Sequence, residues 1–345
     1  MKMDLGARRS TASVALLCQF GEEHGMARAA CLRDTGLSEG QLADPLAEIS
    51  AAQELQLVRN LVAHLGSGPG PGVLVGQRYH LTSYGIWGFG LVSSPSLRSA
   101  VELGITYLDL TFAFARIWLE ESDGEARLRL DGSHLPEDVR VFLLERDAAA
   151  IATLQRELFD MPLPQRRVTF RHGAPADLAP YQQCFTVMPI FDAPLDMAAF
   201  DAALLDLPLP QANSHTRRLC EMQCRELLAR RRARAGVAGQ VREQLLADPT
   251  HMPGMEQVAA ALHISSRTLR RQLAEQDTSF RALVDEVRQA LAEEMLRAGG
   301  FGTEEIAARL GYAEVASFIH AFRRWAGVTP GAFARQARDR WREEV

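Results

Sequence analysis

GYAEVASFIHAFRRWAGVTPGAFA, residues Gly311 to Ala334, places three aromatic rings on one helical face: Phe318, Phe322 and Trp325 recur at i, i+4 and i+7. Ala316, Ser317, His320, Arg323 and Arg324 fall on the opposite face. Just upstream, Ile306, Ala307 and Leu310 form the apolar stripe of a shorter helix, and Gly311-Tyr312 makes the turn. The spacing predicts a helix-turn-helix whose second helix buries rings and shows a polar face.

Roughly 50 residues earlier the pattern recurs. Met255, Val258, Ala259 and Leu262 fall at i, i+3, i+4 and i+7, His263-Ile264 makes the turn, and Ser265 is suited to cap the next helix. That helix has Leu269 and Leu273 on one side and Arg267, Arg270 and Arg271 on the other, with Thr268 beside them. Between the two units, Phe280, Leu283, Val284, Val287 and Leu291 form the stripe of a connecting helix from about Phe280 to Arg297. At 1.5 Å per residue that helix is roughly 27 Å long. It can hold two recognition helices nearly one DNA turn, about 34 Å, apart on one face of a duplex. A guanidinium donates two hydrogen bonds to guanine O6 and N7, or neutralises a phosphate, so the arginine face suits DNA. The chain is arginine-rich, with Lys2 its only lysine, so spacing rather than abundance carries this argument.

On these motifs, residues 248–338 resemble the DNA-binding domain of the AraC/XylS family of bacterial transcription regulators. Gly311, Phe318, Phe322, Trp325, Gly327 and Pro330 match the signature of the family's second unit, and Val258–Leu262 and Ser265–Arg271 fit the first. The resemblance implies that Arg267, Arg270 and Arg271 read bases from one helix, and Ala316, Ser317 and His320 from the other. It also implies promoter DNA, RNA polymerase and a second copy of the chain as partners, activation as the usual outcome, and no cofactor. There are departures. His263 stands where glycine is usual in the turn, His320 stands where arginine is frequent, and Ala316 offers only an apolar contact, such as to a thymine methyl. Residues 246–345 hold 13 Arg against 14 Asp+Glu, so bulk positive charge does not drive binding there.

From about Ile49 to Arg232 the chain resembles the arabinose-binding-like effector domain of one branch of that family, through Leu55–Gly66, Tyr84–Pro95 and Leu207–Pro210. This implies an unidentified small-molecule effector. Tyr84, Trp87 and Phe89 are candidates to line its pocket, although rings beside a glycine-rich strand are commonly core. The pattern there is α+β. A helix is expected over Leu46–Leu65, stopped by the glycine turn Gly66–Gly72; helix-like spacing covers Ser96–Leu110, and a helix is expected over Ala148–Phe159. Strand-like runs occur at Thr111–Leu119, Ala126–Leu130, Val139–Leu144 and Val168–His172. A helix from Leu219 to Arg232 ends in the basic run Arg230, Arg231, Arg232, Arg234, which either touches DNA phosphates or is a solvated helix end. The organisation expected is thus an α+β effector-binding or dimerisation domain at 1–235, a linker at 236–247, and at 248–345 an all-α DNA-binding domain with two helix-turn-helix units joined by a linker helix.

Length and composition bound the alternatives. With 345 residues, 47% hydrophobic and a net charge of -5, two globular domains are expected and a fibrous or disordered chain is not. The most hydrophobic stretch, Gly85–Val92, is less than half the length a membrane span needs. No cleavage pattern follows the basic amino terminus, so a cytoplasmic location is expected. Five scattered cysteines do not make a disulfide framework, and Cys220 and Cys224, one helical turn apart, suit a packed helix face better than a metal or redox pair. Related DNA-binding modules occur on repair enzymes that use an activated cysteine beside histidine and a four-cysteine zinc cluster. Here Cys184 is followed by Phe185-Thr186, no such cluster exists, and neither a Gly-x-Ser-x-Gly elbow nor a His-Glu-x-x-His pair occurs. No catalytic or metal site is expected. The competing function is a ligand-independent regulator whose large domain serves dimerisation or partner docking.

Overall fold

A computed structural model describes residues 7–44, 46–66, 70–234, 236–276, 278–298 and 301–343, with the side chains of 232–234, 298 and 337–343 left aside. The chain folds as two units, Met1–Arg231 and Arg232–Val345.

The first unit opens with β1 (Arg8–Ser10), α1 (Ala12–Glu23), α2 (Arg28–Cys31) and α3 (Glu39–Ala43), followed by β2 (Glu48–Ser50), which pairs antiparallel with β1, and α4 (Ala51–Leu65). The helix expected from Leu46 starts five residues later. Ser50 and Gln53 form a capping box that begins α4 at Ala51, Ile49 lies in β2, and Leu46 is exposed. Val14, Leu17, Phe20, Leu57, Val58 and Leu61 build the core between α1 and α4.

Residues 67–69 of the expected glycine turn lie outside the described residues. The run does not remain a turn to its end, because Pro71 opens α5 (Pro71–Gly76) and Gly72 is helical. A Cβ on Gly72 would lie 2.3 Å from Phe142 O, and one on Gly76 would lie 2.4 Å from Arg146 O. The Gly-x-x-x-Gly spacing therefore lets α5 pack backbone to backbone on a later helix. That helix is α8 (Glu137–Phe159), and between come α6 (Ile86–Val92), α7 (Leu97–Thr106), β3 (Arg116–Ser122) and β4 (Glu125–Asp131). The glycine-rich aromatic segment is thus a helix and not a strand. Gly88 tolerates the approach of Leu81 O, which would stand 2.1 Å from a Cβ there.

Val139–Leu144, expected as a strand, lies inside α8 (Glu137–Phe159). Glu137 and Asp138 favour the amino-terminal end of a helix, and so many faces of α8 are buried that its sequence loses helical contrast. Thr111–Ala115 were expected to begin a strand but stay irregular, because the Phe114 and Ala115 N–H groups donate to the Asp147 carboxylate (3.0 and 2.9 Å) and not to a sheet. With β5 (Gln165–Thr169), α9 (Ala179–Cys184) and β6 (Asp196–Asp201), the antiparallel sheet closes in the order β3-β4-β6-β5. Leu128 pairs with Leu119 and Ala198, and Leu130 with Ile117 and Asp196, so these residues share one face. That face meets Trp87, Leu91, Leu97, Leu103, Leu154 and Leu158 from the helices.

Charge is buried here as well. Arg146 reaches Glu54 (3.3 Å), Asp147 (2.8 Å) and Phe112 O (2.6 Å), and Arg9 reaches Glu54 (3.0 Å). Two cations and two anions thus neutralise one another among β1, α4 and α8. The last helix of the unit, α10 (Ser214–Arg234), buries Cys220 and Cys224 on its inner face as free thiols. Within the basic run, Arg231 is largely buried and paired with Glu48 (3.2 Å), unlike the solvated or phosphate-facing side chain expected; the side chains of Arg232 and Arg234 lie outside the described residues.

The second unit is helical throughout its described residues: α11 (Gly236–Ala247), α12 (Met255–Ala261), α13 (Ser266–Ala274), α14 (Phe280–Ala298), α15 (Thr303–Arg309), α16 (Val315–Ala326) and α17 (Pro330–Glu343). Residues 236–247, expected as a linker, form α11. Its Ala238, Val241 and Leu245 share a core with Val258, Leu269, Leu273 and Leu283. A second core gathers Ala292, Leu296, Ile306, Leu310, Phe318 and Phe322. α14 serves both cores, its first half the former and its second half the latter, and Leu291 packs against each.

Candidate nucleic-acid interface and a cavity in the first unit

Both helix-turn-helix units turn through the same bonds. Beyond α12, the Ile264 N–H donates to Ala259 O and the His263 N–H to Ala260 O, each at 3.0 Å; beyond α15, the Tyr312 N–H donates to Ala307 O (2.9 Å) and the Gly311 N–H to Ala308 O (3.1 Å). This double bond pattern requires a left-handed residue just past the helix end. His263 supplies it at φ +55° and Gly311 at φ +73°. The departure seen in the sequence is thus accommodated with histidine in the strained conformation.

The second helix of each unit is held by its apolar side. In α13, Ser265 caps the helix by accepting from the Thr268 N–H (3.1 Å), and Leu269 and Leu273 are buried. Arg267, Arg270 and Arg271 are exposed, while Thr268 is half-buried with its hydroxyl 2.9 Å from that of Ser265, which commits part of it to capping. Arg271 donates to Glu275 (2.7 Å), an exposed pair of little energetic weight. Arg267 and Arg270 make no ion pair among the described residues.

In α16, Phe318, Ala321 and Phe322 are buried, and Ala316, Ser317, His320, Arg323 and Arg324 are exposed, so the predicted faces are placed together on one side. Arg324 is occupied: it donates to Asp285 of α14 (3.0 Å), tying the helix to the connector. Trp325 is only half-buried and less central than the two phenylalanines.

The effector candidates separate. Trp87 is buried and lines a cavity of about 130 Å³ between the apolar sheet face and α6, α7 and α8. Tyr84 lines a smaller neighbouring space of about 40 Å³, also touched by Trp87. Phe89 is 62% exposed and lines neither. The larger cavity is bounded by small residues where the layers would otherwise close: Ala100 and Gly104 of α7, Ala148 and Ala152 of α8, Ala198 of β6. Sequence reasoning missed it because its walls come from strands and helices far apart in the chain. The only local signal is small residues on otherwise apolar faces.

A second buried cluster stands elsewhere in this unit. Glu145 accepts from the Gly70 N–H (3.1 and 2.9 Å) and the Tyr181 hydroxyl, with His172 Nε2 at 3.3 Å. Burial pushes the Glu145 carboxyl up to about 7, and burial lowers His172. Among the described residues no three His, Cys, Asp or Glu side chains gather as metal ligands, and no helix is long and apolar enough to cross a membrane.

Two helix-turn-helix units on one connecting helix, each with an exposed polar second-helix face, define a DNA-binding transcriptional regulator. Known proteins agree: the arabinose-binding domain of AraC transcription regulators, amino-terminal part, matches residues 25–209, and a helix-turn-helix domain matches residues 258–336. An HTH-type transcriptional regulator of Mycobacterium tuberculosis is 37% identical over 95% of this chain and 97% of its own length. The ornithine utilization regulator of Pseudomonas aeruginosa is 32% identical, covering 90% and 91%. The crystal structure of the transcriptional regulator CdpR from Pseudomonas aeruginosa is 24% identical, with a TM-score of 0.48 over 94% of this chain and 98% of that one. The chain belongs to the AraC family of transcriptional regulators, with an arabinose-binding-like amino-terminal domain. Its domains and relatives are those of a regulator and not of an enzyme.

Proposed function

We propose that this protein is a cytoplasmic, sequence-specific activator that binds promoter DNA as a homodimer, engages RNA polymerase, and is controlled by a small molecule held in the first unit. The observation that carries effector control is the apolar cavity of about 130 Å³ between sheet and helices. A ligand there shifts the regulator only through unequal affinity for two states, and coupling of about 1–3 kcal/mol is typical. In the second unit, Arg267 and Arg270 are the base-reading groups best supported, being exposed and without an ion pair among the described residues. Ser317, His320 and Arg323 serve the second half-site, with Ala316 as an apolar contact and Thr268, Arg271 and Arg324 as adjuncts that already hold protein partners.

The test is selection of genomic fragments by the full-length protein at a stated salt concentration, beside Arg267→Ala. A shared motif of roughly 20 base pairs is expected. The variant should lose about 1–3 kcal/mol on that motif and much less on random DNA. Equal loss on every sequence would reduce Arg267 to a phosphate contact, and recovery of no motif with wild type would defeat sequence-specific binding.

A second reading, in which the first unit serves docking or dimerisation without a ligand, draws on Phe89 of α6 and on Leu219 and Met222 of α10, all large apolar side chains left exposed. Sedimentation of Met222→Glu beside wild type addresses it: a dimer that dissociates in the variant supports that role for α10.

A further inference from the structure

The cavity wall is mostly apolar, its polar residues being Gln155, Gln165, Thr169 and Asp196. Asp196, at the start of β6 on the inner sheet face, is 4% exposed and lines the space. One carboxylate oxygen accepts from the Arg171 N–H (2.8 Å), and the other accepts no hydrogen bond among the described residues. Its ladder partner on that face is Leu130, and no ion pair joins it among the described residues. Across the space, the side-chain amide of Gln155 on α8 is also without a hydrogen bond among the described residues. His172 and the Arg171 guanidinium favour its charged form through space only, so a buried carboxylate with one oxygen lacking a donor gains from a further hydrogen bond. The remaining wall is aliphatic and aromatic, from Leu91, Ile105, Leu128, Leu158 and Phe200.

We propose that this cavity is a binding site for a compact molecule with an apolar body, of about benzene's size, that carries one amine directed at Asp196. The size follows from the space: apolar cavities near 150 Å³ take benzene. The apolar body replaces the void between Ala100, Gly104, Ala152 and Ala198, and the ammonium gives the free carboxylate oxygen a charge-assisted partner. Burial raises the Asp196 carboxyl, with the Arg171 N–H pulling the other way, so an ammonium brought alongside draws out the charged form. This deepens the effector reading above by naming the ligand class, and it rests on that reading only for the link to DNA.

Thermal unfolding of the full-length protein with benzylamine and with toluene, equal in body and differing in the amine, tests the site. The expected result is saturable stabilisation by both, with benzylamine half-saturating at a concentration about tenfold lower. Asp196→Asn keeps an oxygen for the Arg171 N–H, so it should fold and bind toluene while losing that preference. Ala198→Leu or Ala152→Leu should fill the space, unfold at higher temperature without probe and respond to neither compound; two positions are named in case one disturbs the sheet. No response from wild type to either probe overturns the site, and equal response to both overturns the role of Asp196. DNA affinity measured with and without saturating benzylamine separates the two ideas: binding without any change on DNA leaves the site standing and defeats effector control through it.

Discussion

His263 and Gly311 occupy the same place in two copies of one turn, and the difference between them is measurable. A non-glycine residue in the left-handed region costs about 1–2 kcal/mol, partly offset by the greater freedom glycine has in the unfolded chain. His263→Gly should therefore raise stability by about 0.5–1 kcal/mol in urea unfolding. Gly311→Ala should lower it by more than about 1 kcal/mol, because its Cβ would also stand 3.0 Å from Thr250 O. No change in stability at either site would mean that the turn relaxes. At Glu145 the sign of the pH dependence is fixed. Its carboxyl binds a proton more tightly folded, at about 7, than at its ordinary 4.5, so its contribution is full below pH 4.5 and is lost as pH rises through 7. The loss approaches about 3 kcal/mol. His172, lowered by burial, acts in the opposite sense below its ordinary 6.5, so the readout is the difference between wild type and Glu145→Gln. That difference should grow between pH 4.5 and 7 in favour of the variant, and a flat difference would mean that Glu145 is ionised throughout. The turn was legible in the sequence; the Glu145 cluster was not, because Glu145 lies far along the chain from His172 and Tyr181.

Among the elements, α13 and α16 were legible because each has one buried and one exposed face, and a helix with a polar side announces its period. Phe322→Ala should cost about 3–5 kcal/mol, and Trp325→Ala clearly less since that ring is half-buried. Equal losses in denaturant unfolding would put Trp325 back in the core, where the spacing alone had placed it. α5, α6 and α8 were not legible, for related reasons. α8 is buried around most of its circumference, so its apolar residues lose periodicity and Val139–Leu144 imitates a strand. α5 and α6 carry glycines where another backbone lies against them, and glycine out of context signals a turn. The prolonged strand expected from Thr111 failed because Asp147 captures the amide groups a neighbouring strand would have used.

For the molecule as a whole, the boundary between the two units was placed too late, because α11 is an undistinguished short helix whose membership depends on what it packs against. Since Val241 and Leu245 are buried in the core of the first helix-turn-helix, a fragment of residues 248–345 should be less stable than one of residues 236–345 by about 3–5 kcal/mol in thermal unfolding. Indistinguishable stabilities would show that α11 is dispensable. The sequence by itself determined two helix-turn-helix units, the register of their second helices and the residues each turns outward, because these depend on spacings within one or two helical turns. Only the tertiary structure decided that Arg231 and Arg324 are drawn into ion pairs, and where the first unit leaves a cavity. Both outcomes depend on side chains brought together across long stretches of chain, and nothing local to any one of them records the meeting.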